Sequence, residues 1–346
     1  IKGFESDGNK YIPAALSAGA ACVLGDSIPD GVEGIRVRDG RKGLSVATAN
    51  FYGNPASKLK IIGITGTNGK TTTTNLVKEI IEKALGEKVG LIGTNSNMIG
   101  GRELPASRTT PGADELQELF SDMVSEGCRY AVMEVSSHAL ALDRVYGINF
   151  EVGAFTNLTR DHLDFHKTME EYGKAKAKLF SVSKKGIVNI DDQYAGLIME
   201  NAKCPIFKIS TLDDRADLTA KNIVLKADGV SFSALTIGKL IKVRLGIPGM
   251  FSVYNALTAL AVCLNLGVSL EDAVKALGEC HGIKGRAEVV PTGRDFSVLI
   301  DYAHTPDAVE NIIKTVKGYA KGRVVVLFGC GGDRDKTKRP IMGNIA

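Results

Sequence analysis

The sequence predicts an α/β protein of three domains, with a mostly parallel central sheet covered by helices. Three observations carry that expectation. From Lys60 onward, apolar strand-like runs alternate with helical runs, the order that gives a parallel sheet under helices. One of those strands, "KIIGIT", runs through a glycine-containing loop straight into an amphipathic helix. Near "HGIKGR", residues 281–286, the pattern breaks and restarts.

The first unit is expected over 1–58, as a partial small α/β domain and a linker. There "KYIPAALSAGA" reads as a helix after a turn at "SDG", and "ACVLG" as a short apolar strand. The turn-rich "FYGNPASK" at 51–58 reads as the linker. The central unit, 59–283, begins with the strand "KIIGIT" and the helix "KTTTTNLVKEIIEKAL". It continues with the strand "KVGLIG", the helix "ADELQELFSDMVSEG" and the strands "YAVMEV" and "VGAFTNL". Residues 184–245 are richer in short strands, with turns at "ADG" and "IGK", and a helix over 253–267 follows "PGMFS". The last unit, 284–346, opens with "FSVLIDYAH", is helical to about 320 and goes on as "RVVVLFGCGGDRD". The chain starts at Ile1 and stops at "GNIA" in mid-pattern, so a piece of something longer at both ends is expected. The sequence shows no internal repeat and no low-complexity segment.

Composition narrows the function classes. Of 346 residues, 44% are hydrophobic and 24% charged, an ordinary soluble balance with length for two or three cores. A net charge of +4, with Lys and Arg scattered, argues against a nucleic-acid partner. The nearest approach to a membrane span, "NALTALAVCLNLGV", is short and broken by Asn265, so no membrane partner is expected. Six cysteines form no C-x-x-C pair and sit mostly in apolar contexts, which suits reduced thiols in a cytosolic protein.

The stretch "IIGITGTNGKTTTTN", 61–75, departs from the strict phosphate-loop spacing. The pattern G-x-x-x-x-G-K-[ST] needs glycine five residues before Gly69, and Ile64 stands there. The context is nevertheless that of a phosphate loop. An apolar strand leads through Gly66, Thr67, Asn68 and Gly69 into a helix with apolar positions at 76, 77, 80, 81, 84 and 85. Amides at a helix N-terminus favour an anion. Lys70 would reach the terminal phosphates and the Thr71 hydroxyl would ligate Mg²⁺. The plainer reading is a glycine turn with a surface lysine, and the context together with the G-K-T trio outweighs it.

Carboxylates and histidines follow. "YAVMEVSSHALALDR" puts Glu134 at the end of an apolar strand, where a Mg²⁺ ligand is wanted beside a phosphate loop. Read alone, it is equally a strand-end carboxylate in water. "FTNLTRDHLDFH" carries Asp161, His162, Asp164 and His166. The H-x-x-x-H spacing would put both histidines on one helix face, so zinc is an alternative to Mg²⁺. No H-E-x-x-H order is present, and the phosphate loop already demands a hard cation. In "EEYGKAKAKLF", Lys174, Lys176 and Lys178 read on their own as a solvated helix face.

"TGTNGKTTT" resembles the loop of the Mur ligases, ATP-dependent enzymes that add amino acids to the peptidoglycan precursor. The resemblance implies their three-domain architecture: a central parallel-sheet phosphate-loop ATPase domain and a Rossmann-like C-terminal domain, here truncated. It makes His162 a second-metal ligand beside Thr71 and Glu134. It also matches Lys176 in "YGKAK" to a lysine that the family carbamylates with CO₂. An ammonium would repel Mg²⁺, whereas a carbamate offers it anionic oxygens. Thr109 and Thr110 in "SRTTPGADEL" read alone as an N-capping turn. The resemblance makes them, with Ser136 and Arg144, contacts to a UDP-N-acetylmuramoyl dipeptide; some members carry Gln where Leu142 stands. "KGFESDG" looks like the family's uridine-side loop.

For the nucleotide, the resemblance assigns Asn255 in "GMFSVYNALTALA" to adenine, where a capping residue is the plainer reading. It further assigns Arg286 in "KGRAEVV" to ATP phosphates, and places Asp301 and His304 of "LIDYAHTPDAV" facing the nucleotide. "DYAHTPDA" is shared within the group by the members that add the third peptide residue and by the ligase half of cyanophycin synthetase. Arg334 in "GCGGDRDKTKRP" matches a contact to the incoming amino acid's carboxylate. That stretch looks closer to members adding meso-diaminopimelate than to those adding L-lysine. The implied activity is ATP-dependent amide formation through an acyl phosphate, with two Mg²⁺, by a monomer in a bacterial cytoplasm. Other readings stay open: the L-lysine-adding member, the cyanophycin synthetase half, a nucleotide switch and a silent nucleotide-binding module. A switch predicts an N-K-x-D motif, which is not found. In the family, the amino-acid choice is read largely by a motif downstream of Ala346.

Overall fold

The computed structural model describes residues 1, 7–280, 282–330 and 336–346. Helix α1 (Ile12–Ser17) precedes the parallel pair β1 (Val23–Gly25) and β2 (Gly34–Arg36), and α2 (Gly40–Phe51) follows. Asp39 caps α2, its carboxylate accepting from the amides of Arg41 and Lys42. The connection into the next unit is a 3₁₀ turn, Pro55–Lys58, entered through Asn54 in the left-handed region at φ 55°.

One sheet of 11 strands dominates the molecule. In chain order its strands are β3 (Lys60–Thr65), β4 (Val89–Ile92), β5 (Ser96–Ile99), β6 (Arg102–Pro105), β7 (Tyr130–Glu134) and β8 (Phe150–Phe155). Then come β9 (Ser183–Asn189), β10 (Ile206–Ser210), β11 (Leu218–Lys226), β12 (Gly229–Thr236) and β13 (Lys239–Leu245). Their spatial order is β13-β12-β11-β10-β9-β8-β3-β7-β4-β5-β6. The run from β11 to β4 is parallel, and antiparallel strands extend both edges. The turns expected at "ADG" and "IGK" join β11 to β12 and β12 to β13.

The helices of this unit are α3 (Lys70–Leu85), α4 (Ala113–Ser125), α5 (Ser137–Ala141), α6 (Leu163–His166), α7 (Met169–Ala177), α8 (Ala195–Glu200), α9 (Met250–Asn265) and α10 (Leu270–Gly278). Strand alternation sorts the core into two layers. Ile62 and Ile64 of β3 share one cluster with Leu76, Val77 and Ile80 of α3 and with Leu257 and Leu260 of α9. Ile61 joins the other, with Leu116 and Phe120 of α4. Each such aliphatic side chain, withdrawn from water, contributes about 1.5–3 kcal/mol. Gly63 is required in mid-strand because a Cβ there would come 2.8 Å from the Phe150 ring.

Helix α3 occupies the expected span and ends at Gly86 in the left-handed region. Helix α9 starts at Met250 rather than 253, because Gly249 at φ 98° turns the chain immediately before it. Asn255 therefore lies inside the helix, not at its cap. In the last unit, β14 (Glu288–Val290) pairs antiparallel with β15 (Val298–Ile300), and α11 (Pro306–Lys317) and α12 (Lys338–Ile345) pack around Val309, Ile313 and Met342. The apolar run "RVVVLF" at 323–328 is not a strand, and Leu327 is fully exposed. No helix among the described residues is long and apolar enough to cross a membrane.

The topology positions the site. From β3 the chain goes to β4, inserts β7 between them, then crosses to β8 on the other side of β3. A crevice opens at such a switch point, beyond the C-terminal strand ends. The loop after β3, Glu134 at the end of β7 and the segment after β8 all converge there.

Candidate active site

The loop joining β3 to α3 is built on two glycines at positive φ, Gly66 (150°) and Gly69 (86°). A Cβ on Gly66 would overlap the Thr156 hydroxyl, and one on Gly69 would overlap Asn255 Oδ1. The segment after β8 braces the loop. Asn157 accepts from the Asn68 amide at 2.9 Å and donates to the Asn68 carbonyl at 3.0 Å. Thr156 donates to the same carbonyl at 2.7 Å, and the Thr159 amide donates to the Thr67 hydroxyl at 3.0 Å.

Two lysines meet on one carbonyl oxygen. Lys70 Nζ donates to the Gly66 carbonyl at 2.9 Å and to that of Thr67 at 2.8 Å. Lys176 Nζ, on α7, donates to Gly66 at 2.8 Å while sitting 4.5 Å over the Tyr172 ring. Lys176 is 1% exposed, and no carboxylate pairs with it within 4 Å among the described residues. Burial, and then the neighbouring Lys70, push its amine well below the ordinary lysine range. Burial lowers Lys70 as well, opposed by Glu134. Lys174 and Lys178 are exposed, Lys174 pairing with Glu170 at 2.7 Å.

Glu134 is 1% exposed and fully engaged. Its Oε1 accepts from the Thr71 hydroxyl at 2.9 Å and from the Thr94 amide at 2.8 Å; Oε2 accepts from the Thr94 hydroxyl at 3.0 Å. Gly93 makes room for this, since a Cβ there would stand 2.7 Å from Oε1. Arg286 Nη2 donates to the Thr71 hydroxyl at 2.8 Å, and its buried Nε has no partner. The hydroxyls of Thr109 and Thr94 lie 3.0 Å apart. Thr110 Oγ1 lies 3.1 Å from Ser136 Oγ, and Arg144 donates to the Thr110 carbonyl at 3.0 Å. Ser136 also caps α5. A cavity of about 430 Å³ opens beside Thr71 and Glu134, lined further by Asn75, Gly93, Glu103 and Lys284.

The histidines separate rather than pair. His162 lies before the first turn of the four-residue α6, in the left-handed region at φ 54°, with Nε2 3.4 Å from Asp161 Oδ2. His166 Nε2 lies 2.8 Å from the Ser137 hydroxyl, and its ring stacks on Tyr172 at 5.0 Å. Burial pushes both imidazoles down to about 4, so both are neutral near pH 7. The H-x-x-x-H spacing does not place them on one helix face, because His162 is outside the helix. Among the described residues there is no group of three or more His, Cys, Asp or Glu placed to hold a metal ion.

The nucleotide-side candidates divide. Asn255 is buried behind the loop, its Oδ1 3.4 Å from the Thr73 hydroxyl. Asp301 Oδ2 accepts from the Ala287 amide at 2.8 Å, and burial raises its carboxyl. His304 is exposed, with Nδ1 2.9 Å from the Tyr302 carbonyl. Arg334 and most of "KGFESDG" lie outside the described residues. Sequence reasoning missed Thr94, Asn157 and Thr159. The first two follow the ends of β4 and β8, and a polar side chain just past a strand flanking the loop was the available signal.

The Mur ligase middle domain family matches residues 64–263, and the Mur ligase, glutamate ligase domain family matches 285–346. The UDP-N-acetylmuramoyl-L-alanyl-D-glutamate–2,6-diaminopimelate ligase 1 of Clostridium acetobutylicum is 50% identical over 350 residues, an alignment covering 100% of this chain and 72% of that protein. The corresponding ligase of Caldanaerobacter subterraneus is 49% identical with the same coverage. A solved structure of a UDP-N-acetylmuramoyl-L-alanyl-D-glutamate–2,6-diaminopimelate ligase superposes with a TM-score of 0.81 at 32% identity, covering 98% of this chain and 70% of the other.

Proposed function

The chain belongs to the Mur ligase family, and from that premise we propose that it joins 2,6-diaminopimelate to UDP-N-acetylmuramoyl-L-alanyl-D-glutamate at the expense of ATP. The names of relatives 44–50% identical over the whole chain support this choice of substrates. The observation that carries the chemistry is the buried Lys176 amine on the same loop carbonyl as Lys70. A buried lysine without an acid partner is held towards its neutral form, and only the neutral amine adds CO₂.

A carboxylate is a poor electrophile, so its oxygen must first become a leaving group. The γ-carboxylate of the D-glutamyl residue attacks the γ-phosphorus of ATP, forming an acyl phosphate and releasing ADP. The free amine of the diamino acid then attacks the acyl carbon, the C–O bond to phosphate breaks, and an amide and inorganic phosphate remain. The loop amides from Gly66 to Thr71 hold the phosphates, and Lys70 swings from its own loop carbonyls onto the transferring group. Arg286 leaves Thr71 for a phosphate oxygen, to which its unpartnered Nε is also available. Asn255, Asp301 and His304 border the nucleotide. Thr109, Thr110, Ser136 and Arg144 orient the dipeptide, and Arg334 meets the incoming amino acid.

The oxygen donors around Thr71 and Glu134 fit Mg²⁺, which takes one or two protein oxygens and completes its shell with water and phosphate. Neutral His162 and a carbamate on Lys176 would hold a second ion. When bound, the ions neutralise charge on the phosphates. The proposed divisions are 1–58 for the uridine-side unit, 59–283 for the ATPase unit and 284–346 for the amino-acid unit. The protein acts as a single chain in the bacterial cytoplasm, where ATP and nucleotide-linked precursors are made.

The test is ADP formation with ATP, the UDP-linked dipeptide and each of a panel of amino acids. Turnover is expected with meso-diaminopimelate and at least about a thousandfold less with L-lysine, which lacks the distal carboxylate that a guanidinium would pair. Comparable turnover with lysine rejects the choice of amino acid. No turnover with any of them supports a silent binding module instead.

A further inference from the structure

We infer that Asp307 is a positioning residue for the phosphate loop, tying the first turn of α11 to Asn68. This rests on the ATP-binding reading above. Asn68 Nδ2 donates to Asp307 Oδ2 at 2.9 Å, a contact spanning 239 residues of sequence. The other neighbour of that amide is the Thr159 hydroxyl at 3.3 Å. The Asn68 backbone is fixed at both its N–H and its C=O by Asn157. Asp307 thus completes the clamp on Asn68 from the last unit.

The plainer role for an acid in a first helical turn is to serve its own helix. That role is already filled, because Thr305 caps α11 by accepting from the Ala308 amide at 3.2 Å. The Asp307 carboxylate is instead half-buried against the loop, reaching Asn68 and, one turn along its own helix, Asn311. Further contacts cross between the same units, among them Arg286 to Thr71 at 2.8 Å, Asn95 Nδ2 to the Lys284 carbonyl at 3.0 Å, and Lys338 to Asp161 at 4.0 Å. Arg286 and Thr71 have roles in the proposed chemistry. Asp307 acts through Asn68, so that the placement of α11 and the shape of the loop are linked.

The carboxylate also sets a sign. Its negative charge near a phosphate site opposes nucleotide binding, whereas its acceptor oxygen supports the loop. Asn at this position keeps an acceptor and drops the charge; Ala drops both. Asp307→Asn is therefore expected to bind ATP as tightly as wild type or tighter, and Asp307→Ala about tenfold more weakly, the usual scale for losing a charge-assisted bond.

The experiment measures ATP affinity by calorimetry in the full chain for wild type, Asp307→Asn, Asp307→Ala, Asn68→Ala and the double alanine variant, each checked for native circular dichroism. The expected result is rescue by Asn and non-additivity, the double variant binding no more weakly than Asn68→Ala alone. Equal loss in Asp307→Asn and Asp307→Ala, or additive losses in the double variant, overturns the inference while leaving the nucleotide site intact. A wild type that binds no adenine nucleotide overturns the ATP reading and this inference with it.

Discussion

Replacing Gly69 by alanine tests the geometry of the loop in a way whose size follows from the structure. Gly69 sits at φ 86°, where a non-glycine residue costs about 1–2 kcal/mol in backbone sterics. Its new Cβ would overlap Asn255 Oδ1, which is itself 3.4 Å from the Thr73 hydroxyl. Moving Asn255 aside sacrifices that bond between buried groups, about 1 kcal/mol. The two contributions predict a loss of about 2–3 kcal/mol in unfolding free energy, read by urea denaturation at constant slope. Asn255→Ala removes the same bond, so the double variant should lose about 1 kcal/mol less than the sum of the two single losses. Stability is the better readout, because Asn255 is also proposed to border adenine. A Gly69→Ala protein within about 0.5 kcal/mol of wild type, or a double variant no more stable than the sum of the singles allows, refutes the reasoning.

Three further outcomes are expected. Lys70→Ala should abolish ATP turnover with unchanged circular dichroism; retention of a sizeable fraction of the rate counts against its role at the γ-phosphate. Lys176→Ala should lose activity that acetate partly restores, by supplying anionic oxygens where the carbamate would stand; absence of any rescue with a folded protein speaks against the carbamate. His166 is held near 4 in the folded state against an ordinary value of 6.5. Protons therefore bind the unfolded chain preferentially between those values, and stability falls as pH falls through that window. From pH 7 to pH 5 the loss from this group is at most about 2 kcal/mol, less where solvent screens the ring, with His162 acting in the same window; His166→Gln should shallow that part of the stability profile, and an unchanged slope removes the explanation.

The parts of this protein legible in the sequence are those set by local pattern. The strand Lys60–Thr65, the two glycines and the helix Lys70–Leu85 declare themselves because period-two and period-3.6 apolar spacing meet at Gly66 and Gly69. Glu134 was visible as a carboxylate closing an apolar strand. The start of α9 was missed by three residues because Gly249 sets it through a backbone turn, not through hydrophobic spacing. The pairing of His162 with His166 was misjudged for a similar reason. The H-x-x-x-H rule presumes a continuous helix, and His162 at φ 54° interrupts it. Thr94 and Asn157 were missed because a polar residue past a strand end gains its importance from which strands are neighbours in the sheet. That order, β8-β3-β7-β4, is a long-range property that no window of sequence contains. The exposed "RVVVLF" run shows the converse: apolar, β-branched residues describe a strand only when a partner strand is present.

The central claim is that the D-glutamyl γ-carboxylate is activated as an acyl phosphate before the amine attacks. The direct measurement uses UDP-linked dipeptide labelled with ¹⁸O in that carboxylate, incubated with ATP and 2,6-diaminopimelate, with mass analysis of the released phosphate. The account predicts that one labelled oxygen per turnover moves from the carboxylate to inorganic phosphate, because the C–O bond that breaks is the one to the phosphoryl group. Turnover that releases phosphate free of label, with one labelled oxygen kept in the amide and the other lost to water, contradicts it.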